Sequence, residues 1–186
     1  MAKLKRTDQQ MRWKVLSSEY VLRDPWMTVR KDRLQLPDGR IKDGYWSLEY
    51  PDWINIIAIT KDGHFIFERQ YRHGLDVVEW EIPAGVIEKG EQPVEAAKRE
   101  LMEETGFGGG EWEPFMETCQ NPGTCNNITH TFLAKGVEPI GKQHFDATED
   151  LDVYLLSEED VRHILANDEI KQSMMAAPLW KYFCNK

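Results

Sequence analysis

The stretch from Gly85 to Phe107, GVIEKGEQPVEAAKRELMEETGF, decides how this chain is read. Its centre carries helix signals. Pro93 suits a first helical position, with Gln92 before it as an unfavoured N-cap. Val94, Ala97 and Leu101 form an apolar stripe, and Gly106 is a natural stop. On that helix Glu100 and Glu104, four residues apart, present their carboxylates on one face, with Glu103 beside them. Three acids in one turn raise each other's pKa unless something positive intervenes. Arg99, four residues before Glu103, offers one charge against three. A divalent cation is the economical remedy, and an all-oxygen donor set without His or Cys favours Mg²⁺, with Mn²⁺ possible. An isolated E-x-x-E-E would be a solvated acidic face. Gly85 and Glu91 upstream and the Gly106 stop turn the reading toward a metal site.

Outward from this segment the chain alternates short strands and a few helices. Val15 to Val21, Met27 to Leu36 and Ile41 to Tyr50 read as strands, the last two joined by the turn Pro37-Asp38-Gly39-Arg40. Trp53 to Thr60 and His64 to Tyr71 form a second hairpin around Lys61-Asp62-Gly63, and Val77 to Ile82 is a further strand that Pro83 stops. Trp112 to Thr118 and Ile128 to Lys135 read as strands linked through Asn121-Pro122-Gly123-Thr124, followed by Leu151 to Leu156. Ser157, with Asp160 three residues on, caps one more helix, and a last helix is expected from about Ile170 to Phe183. The first ten or so residues are expected to be a frayed tail. There is no regular βαβ alternation, which points to an α/β chain with a mixed sheet and helices packed on it.

Composition narrows the function classes. The 186 residues suit one domain with a small N-terminal extension, and 23 Lys+Arg against 32 Asp+Glu leave a net charge of −9. That charge gives no general attraction for nucleic acid or an anionic membrane, so phosphate binding needs a metal ion or a few placed arginines. No stretch is apolar enough to span a bilayer, and Met1 to Arg12 lacks the apolar core of a signal peptide. Cys119, Cys125 and Cys184 show no metal-ligand spacing and read as reduced thiols of a cytoplasmic protein.

Gly85, Glu91, Arg99, Glu100, Glu103, Glu104 and Gly106, with Leu101 and Phe107 in the bulky apolar places, match G-x5-E-x7-R-E-U-x-E-E-x-G-U. The segment is identified as the box of the Nudix hydrolase family. The resemblance implies the Nudix fold, a mixed β-sheet sandwiched between helices. Residues 1–50 would be an N-terminal β-hairpin extension and residues 51–186 the hydrolase domain. It implies Glu100, Glu104 and the backbone carbonyl of Ala84 as metal ligands. Glu103 would help through water or by fixing Arg99, and Glu91 would orient Arg99. Gly85 would let the loop pass close to metal and phosphates. The implied reaction is attack of water at phosphorus. Its base is expected at Glu149, where Asp146 and Asp150 compete for the role or for an additional metal ligand.

The flanking residues suggest a substrate. Glu81-Ile82-Pro83-Ala84-Gly85 and Gln70-Tyr71-Arg72 resemble segments of ADP-sugar and GDP-sugar pyrophosphatases, which implies substrate contacts for Glu81 and Arg72. The Arg72 fork suits diphosphate oxygens. Asn121-Pro122-Gly123 resembles a loop over the substrate, with Gly123 offering its N–H. Trp46 and Trp53 are candidates for stacking on a base. An extension of this kind implies a homodimer. The leading expectation is hydrolysis of ADP-ribose to AMP and ribose 5-phosphate. The alternatives are a GDP-mannose-type hydrolase, a nucleoside triphosphate pyrophosphohydrolase and a non-catalytic nucleotide-sugar sensor.

Overall fold

The computed structural model describes residues 5–145 and 148–185. The chain divides into two compact units, one running to Tyr50 and taking in Asn121–Asn127, the other made of Pro51–Gln120 and Ile128 onward.

The first unit is a three-stranded antiparallel sheet in the order β1 (Lys14–Arg23), β2 (Thr28–Gln35), β3 (Ile41–Glu49). Ahead of it, where the sequence suggested a frayed tail, one helical turn forms, α1 (Asp8–Met11). Thr7 and Gln10 explain it. The Thr7 hydroxyl accepts from the Gln10 N–H at 3.3 Å, and Gln10 Oε1 accepts from the Thr7 N–H at 2.9 Å. Leu48 N–H donates to Thr124 at 2.7 Å and Tyr45 Oη donates to Gly123 at 2.5 Å, so the distant loop folds into this unit.

The second unit holds an eight-stranded mixed sheet. Its strands are β4 (Trp53–Thr60), β5 (Phe65–Arg72), β6 (Val77–Glu81), β7 (Ala84–Val86), β8 (Phe107–Gly108), β9 (Glu111–Thr118), β10 (Thr129–Pro139) and β11 (Leu151–Leu156). The central order is β11-β5-β4-β10-β8, with β6 on β5, β7 on β4 and β9 on β10. Among the described residues of this sheet only β4 and β10 run parallel; the other pairs are antiparallel. The helices are α2 (Pro93–Thr105), α3 (Glu158–Ala166) and α4 (Ser173–Cys184).

Strand alternation builds two cores, one on each face. Ile54, Ile56 and Ala58 of β4 join Ile66 of β5 and meet Ala96, Ala97 and Leu101 of α2. Ile57, Phe65 and Phe67 point the other way, onto Val161 and Leu165 of α3 and Leu179 and Phe183 of α4. Leu101 is fully buried, which stabilises α2 on the sheet by about 1.5–3 kcal/mol. Asn55 faces α4, where its side-chain amide donates to the Met174 carbonyl at 2.7 Å. The chain therefore has the expected α/β architecture, a mixed sheet between helices. Among the described residues no helix is long and apolar enough to cross a membrane.

The two ends of α2 fix where its acids stand. Gln92 makes no side-chain cap, so α2 starts on Pro93 alone. It stops at Gly106, which turns left-handed at φ 76° and donates to Met102 at 2.9 Å. A Cβ there would stand 2.8 Å from the Gly141 carbonyl, so only glycine fits.

Candidate active site

Antiparallel pairing of β7 with β4 aligns Gly85 with Ile54, and α2 packs against this pair. Gly85 lies so near α2 that a Cβ built on it would sit 2.1 Å from the carboxyl carbon of Glu100. The missing side chain is what admits the acid.

Arg99 organises the helix acids. Its Nε and Nη2 hold both oxygens of Glu91 at 3.0 Å, and Nη2 also donates to the Val86 carbonyl at 3.0 Å. Its Nη1 reaches Glu100 at 2.8 Å and Glu103 at 3.1 Å. The guanidinium is thereby held protonated, chiefly by Glu91, and Glu91 is in turn held below the usual carboxylate range by Arg99. Glu104 is turned inward, 6% exposed, and accepts from the Ala84 N–H at 3.2 Å.

Strand residues complete the acidic patch. Arg72 on β5 donates through Nε and Nη2 to both oxygens of Glu81 on β6, at 2.6 and 2.5 Å. Glu81 is only 2% exposed, whereas the Arg72 side chain is 45% exposed, and Glu81 takes two of its five donors. Glu149 is half-buried, and its charge acts on Glu68, Glu100 and Glu104. Asp150 is exposed, and Asp146 lies outside the described residues.

Burial sets the protonation of this patch. It pushes Glu100 up to about 7 against the pull of Arg99, and Glu68 up to about 8 with Glu81 adding to the effect. Glu104 is raised well above its ordinary value, first by burial and then by Glu68 and Glu100. Each acid binds its proton more tightly folded than unfolded, where the ordinary value is 4.5. In the metal-free protein their ionisation therefore destabilises the fold as pH rises through this range, and stability returns as pH falls. The melting temperature of chelator-treated protein should be higher at about pH 6 than at about pH 8, and Glu100→Gln should flatten that slope. A slope unchanged by the substitution would contradict this origin. Cation affinity should run the other way, rising with pH as the ligands deprotonate.

The donor set suits a hard divalent ion: oxygen only, buried, negative, with a glycine cradle beside Glu100. Among the described residues no three carboxylates stand at ligand spacing. Arg99 binds Glu100 and the Ala84 amide binds Glu104. Trp53 is half-buried at the start of β4. Trp46, exposed on β3 with Lys31 Nζ 5.5 Å from its ring, and Gly123 belong to the first unit. The Gly123 N–H, expected to be offered to substrate, donates to Asn121 Oδ1 at 3.2 Å, closing its own turn.

Sequence reading missed Glu68. The signal was present: in Phe65-Ile66-Phe67-Glu68, strand alternation puts the acid on the same face as buried Ile66.

Residues 50–177 match the NUDIX domain, and residues 13–45 match the nucleoside diphosphate sugar hydrolase N-terminal domain. The chain is similar to the ADP-ribose pyrophosphatase of Bacillus subtilis (strain 168), 28% identical over 164 residues that cover 88% of each. It is similar also to the methanol dehydrogenase activator of Bacillus methanolicus, 33% identical over 124 residues, 67% of this chain and 66% of that one. A crystal structure of an ADP compounds hydrolase superposes with a TM-score of 0.79 at 24% identity, covering 90% of both chains.

Proposed function

Since the chain belongs to the Nudix hydrolase family, whose members generally need divalent metal ions, we propose that it is a Mg²⁺-dependent pyrophosphatase of nucleoside diphosphate sugars, with ADP-ribose as substrate and AMP and ribose 5-phosphate as products. The observation that carries this reading is the packing of Glu100 beside Gly85 and of Glu104 on Ala84, with the charge of Glu149 acting on both acids and Arg72 clamped by buried Glu81. The match at residues 13–45 and the activity named for the Bacillus subtilis relative support the substrate class.

Glu100 and Glu104, with the Ala84 carbonyl, would hold the cation. When bound, it polarises phosphate oxygens and acidifies the attacking water. The chain's own groups do the rest. Arg99 fixes Glu100 and Glu103 while Glu91 fixes Arg99. Arg72, held by Glu81 on one edge, presents its remaining donors to the diphosphate. Glu149 accepts the proton of the water. Glu149→Gln should therefore lower kcat by about 10²–10⁴-fold, with a much smaller change in KM. An unchanged kcat would move the base to Asp146 or Asp150.

The first unit supports assembly. All ten residues of β1 are exposed, Val15, Leu16, Tyr20, Val21 and Leu22 among them, an apolar surface suited to a second copy. The protein should sediment as a homodimer at micromolar concentration, and a purely monomeric profile would refute this. The substrate is tested by incubating the purified protein with Mg²⁺ and, separately, ADP-ribose, GDP-mannose, dinucleotides and nucleoside triphosphates, and following the products. Release of AMP from ADP-ribose as the fastest reaction is expected. Faster turnover of GDP-mannose or a triphosphate would overturn the assignment.

A further inference from the structure

Glu68 has no place in the reaction described so far, and its surroundings are unusual for an acid. It sits in the middle of β5, 3% exposed. Alternation along the strand puts it on the α2 face, one step beyond Ile66, which packs with Leu101. Its cross-strand neighbours are Glu81 on β6 and Val153 on β11. Oε1 of Glu68 is buried and has no hydrogen-bond partner among the described residues.

A buried carboxylate held for structure normally finds a donor. The cation that acts most strongly on Glu68 is Arg72, and both of the Arg72 bonds go to Glu81. The strongest other charges acting on Glu68 are negative: Glu81, Glu149 and Glu100, with Glu104 also feeling its charge. A single guanidinium does not balance that set, whereas a divalent ion reached by the open oxygen would.

We propose that Glu68 is a further ligand of the divalent-cation site, supplying a buried carboxylate from the sheet opposite the helix acids Glu100 and Glu104. Glu68 closes the site from β5, and its oxygen lacks a donor because its partner is the ion. The inference rests on reading the α2 acids as a cation site, and the experiment separates the two.

Mn²⁺ binding to the purified full chain is measured by electron paramagnetic resonance for wild type, Glu68→Gln and Glu104→Gln, with thermal melts of each in chelator. Glu68→Gln should bind Mn²⁺ at least about tenfold more weakly, or bind one ion fewer, while its chelated melting temperature stays equal or rises. Glu104→Gln should also lose affinity. Loss in Glu104→Gln with wild-type binding in Glu68→Gln would overturn the role of Glu68 and leave the α2 site standing. Wild-type binding in Glu104→Gln would overturn both. Should Glu68→Gln fail to fold, Glu68→Asp serves instead, since it keeps the charge and withdraws the carboxyl by one methylene. Weaker Mn²⁺ binding by that variant supports ligation, and wild-type binding refutes it.

Discussion

Glu104→Gln should leave a folded protein that hydrolyses its diphosphate about 10³-fold more slowly, a loss of roughly 4 kcal/mol in transition-state stabilisation. Glutamine matches the shape of the acid and retains an oxygen to accept from the Ala84 N–H, now at 3.2 Å. Only the charge is lost. That charge is 6% exposed and lies among Glu68 and Glu100, so its removal relieves repulsion in the metal-free protein. Two opposite effects are therefore expected from one substitution: a collapse of kcat and an equal or higher melting temperature in chelator. A rate within about threefold of wild type would show that Glu104 holds no ion the reaction uses. A fall in both rate and melting temperature would point instead to a packing role.

The parts of the molecule legible in the sequence are those whose physics is local. The α2 acids could be placed on one helix face because four residues make about one turn, and Ser157 could be assigned as a cap because Asp160 answers it three residues on. Glu91 meets Arg99 across eight residues, and that contact too is carried by one loop and one turn. What was not legible depends on chain segments far apart. The parallel register of β4 with β10 joins Trp53 to Thr129, and no short-range pattern encodes it. The fold of Asn121–Asn127 into the first unit follows from Tyr45 and Leu48 bonding a loop more than seventy residues away. Glu68 falls between these cases. Its strand was read, but an acid taken singly looks solvent-facing, and its burial comes from elements distant in sequence. The Gly123 amide shows a bond the loop motif did not suggest: the Asn121 side chain two residues back accepts from it.

Gly85→Ala is the second large effect expected, and it discriminates between a site that needs acids and a site that needs them in place. Its backbone lies outside the left-handed region, so the substitution does not fail for want of conformational freedom. It fails for space. The added carbon would lie 2.1 Å from Cδ, 2.2 Å from Oε1 and 2.6 Å from Cγ of Glu100. All three atoms belong to the outer part of a flexible side chain, so the fold can yield by rotating Glu100 away, at a cost far below that of a backbone collision. Every acid then remains in the protein, with its charge, and one of them points elsewhere. Displacing a group by about 1 Å is enough to cost about 10² in rate, and the rotation needed here is larger, so kcat should fall by at least about 10²-fold. Mn²⁺ should bind more weakly, and the melting temperature in chelator should change little. A variant that kept wild-type turnover would mean that Glu100 in its present position is not what the reaction uses. A variant that lost its fold would mean that the β7–α2 contact cannot yield where the geometry says it can.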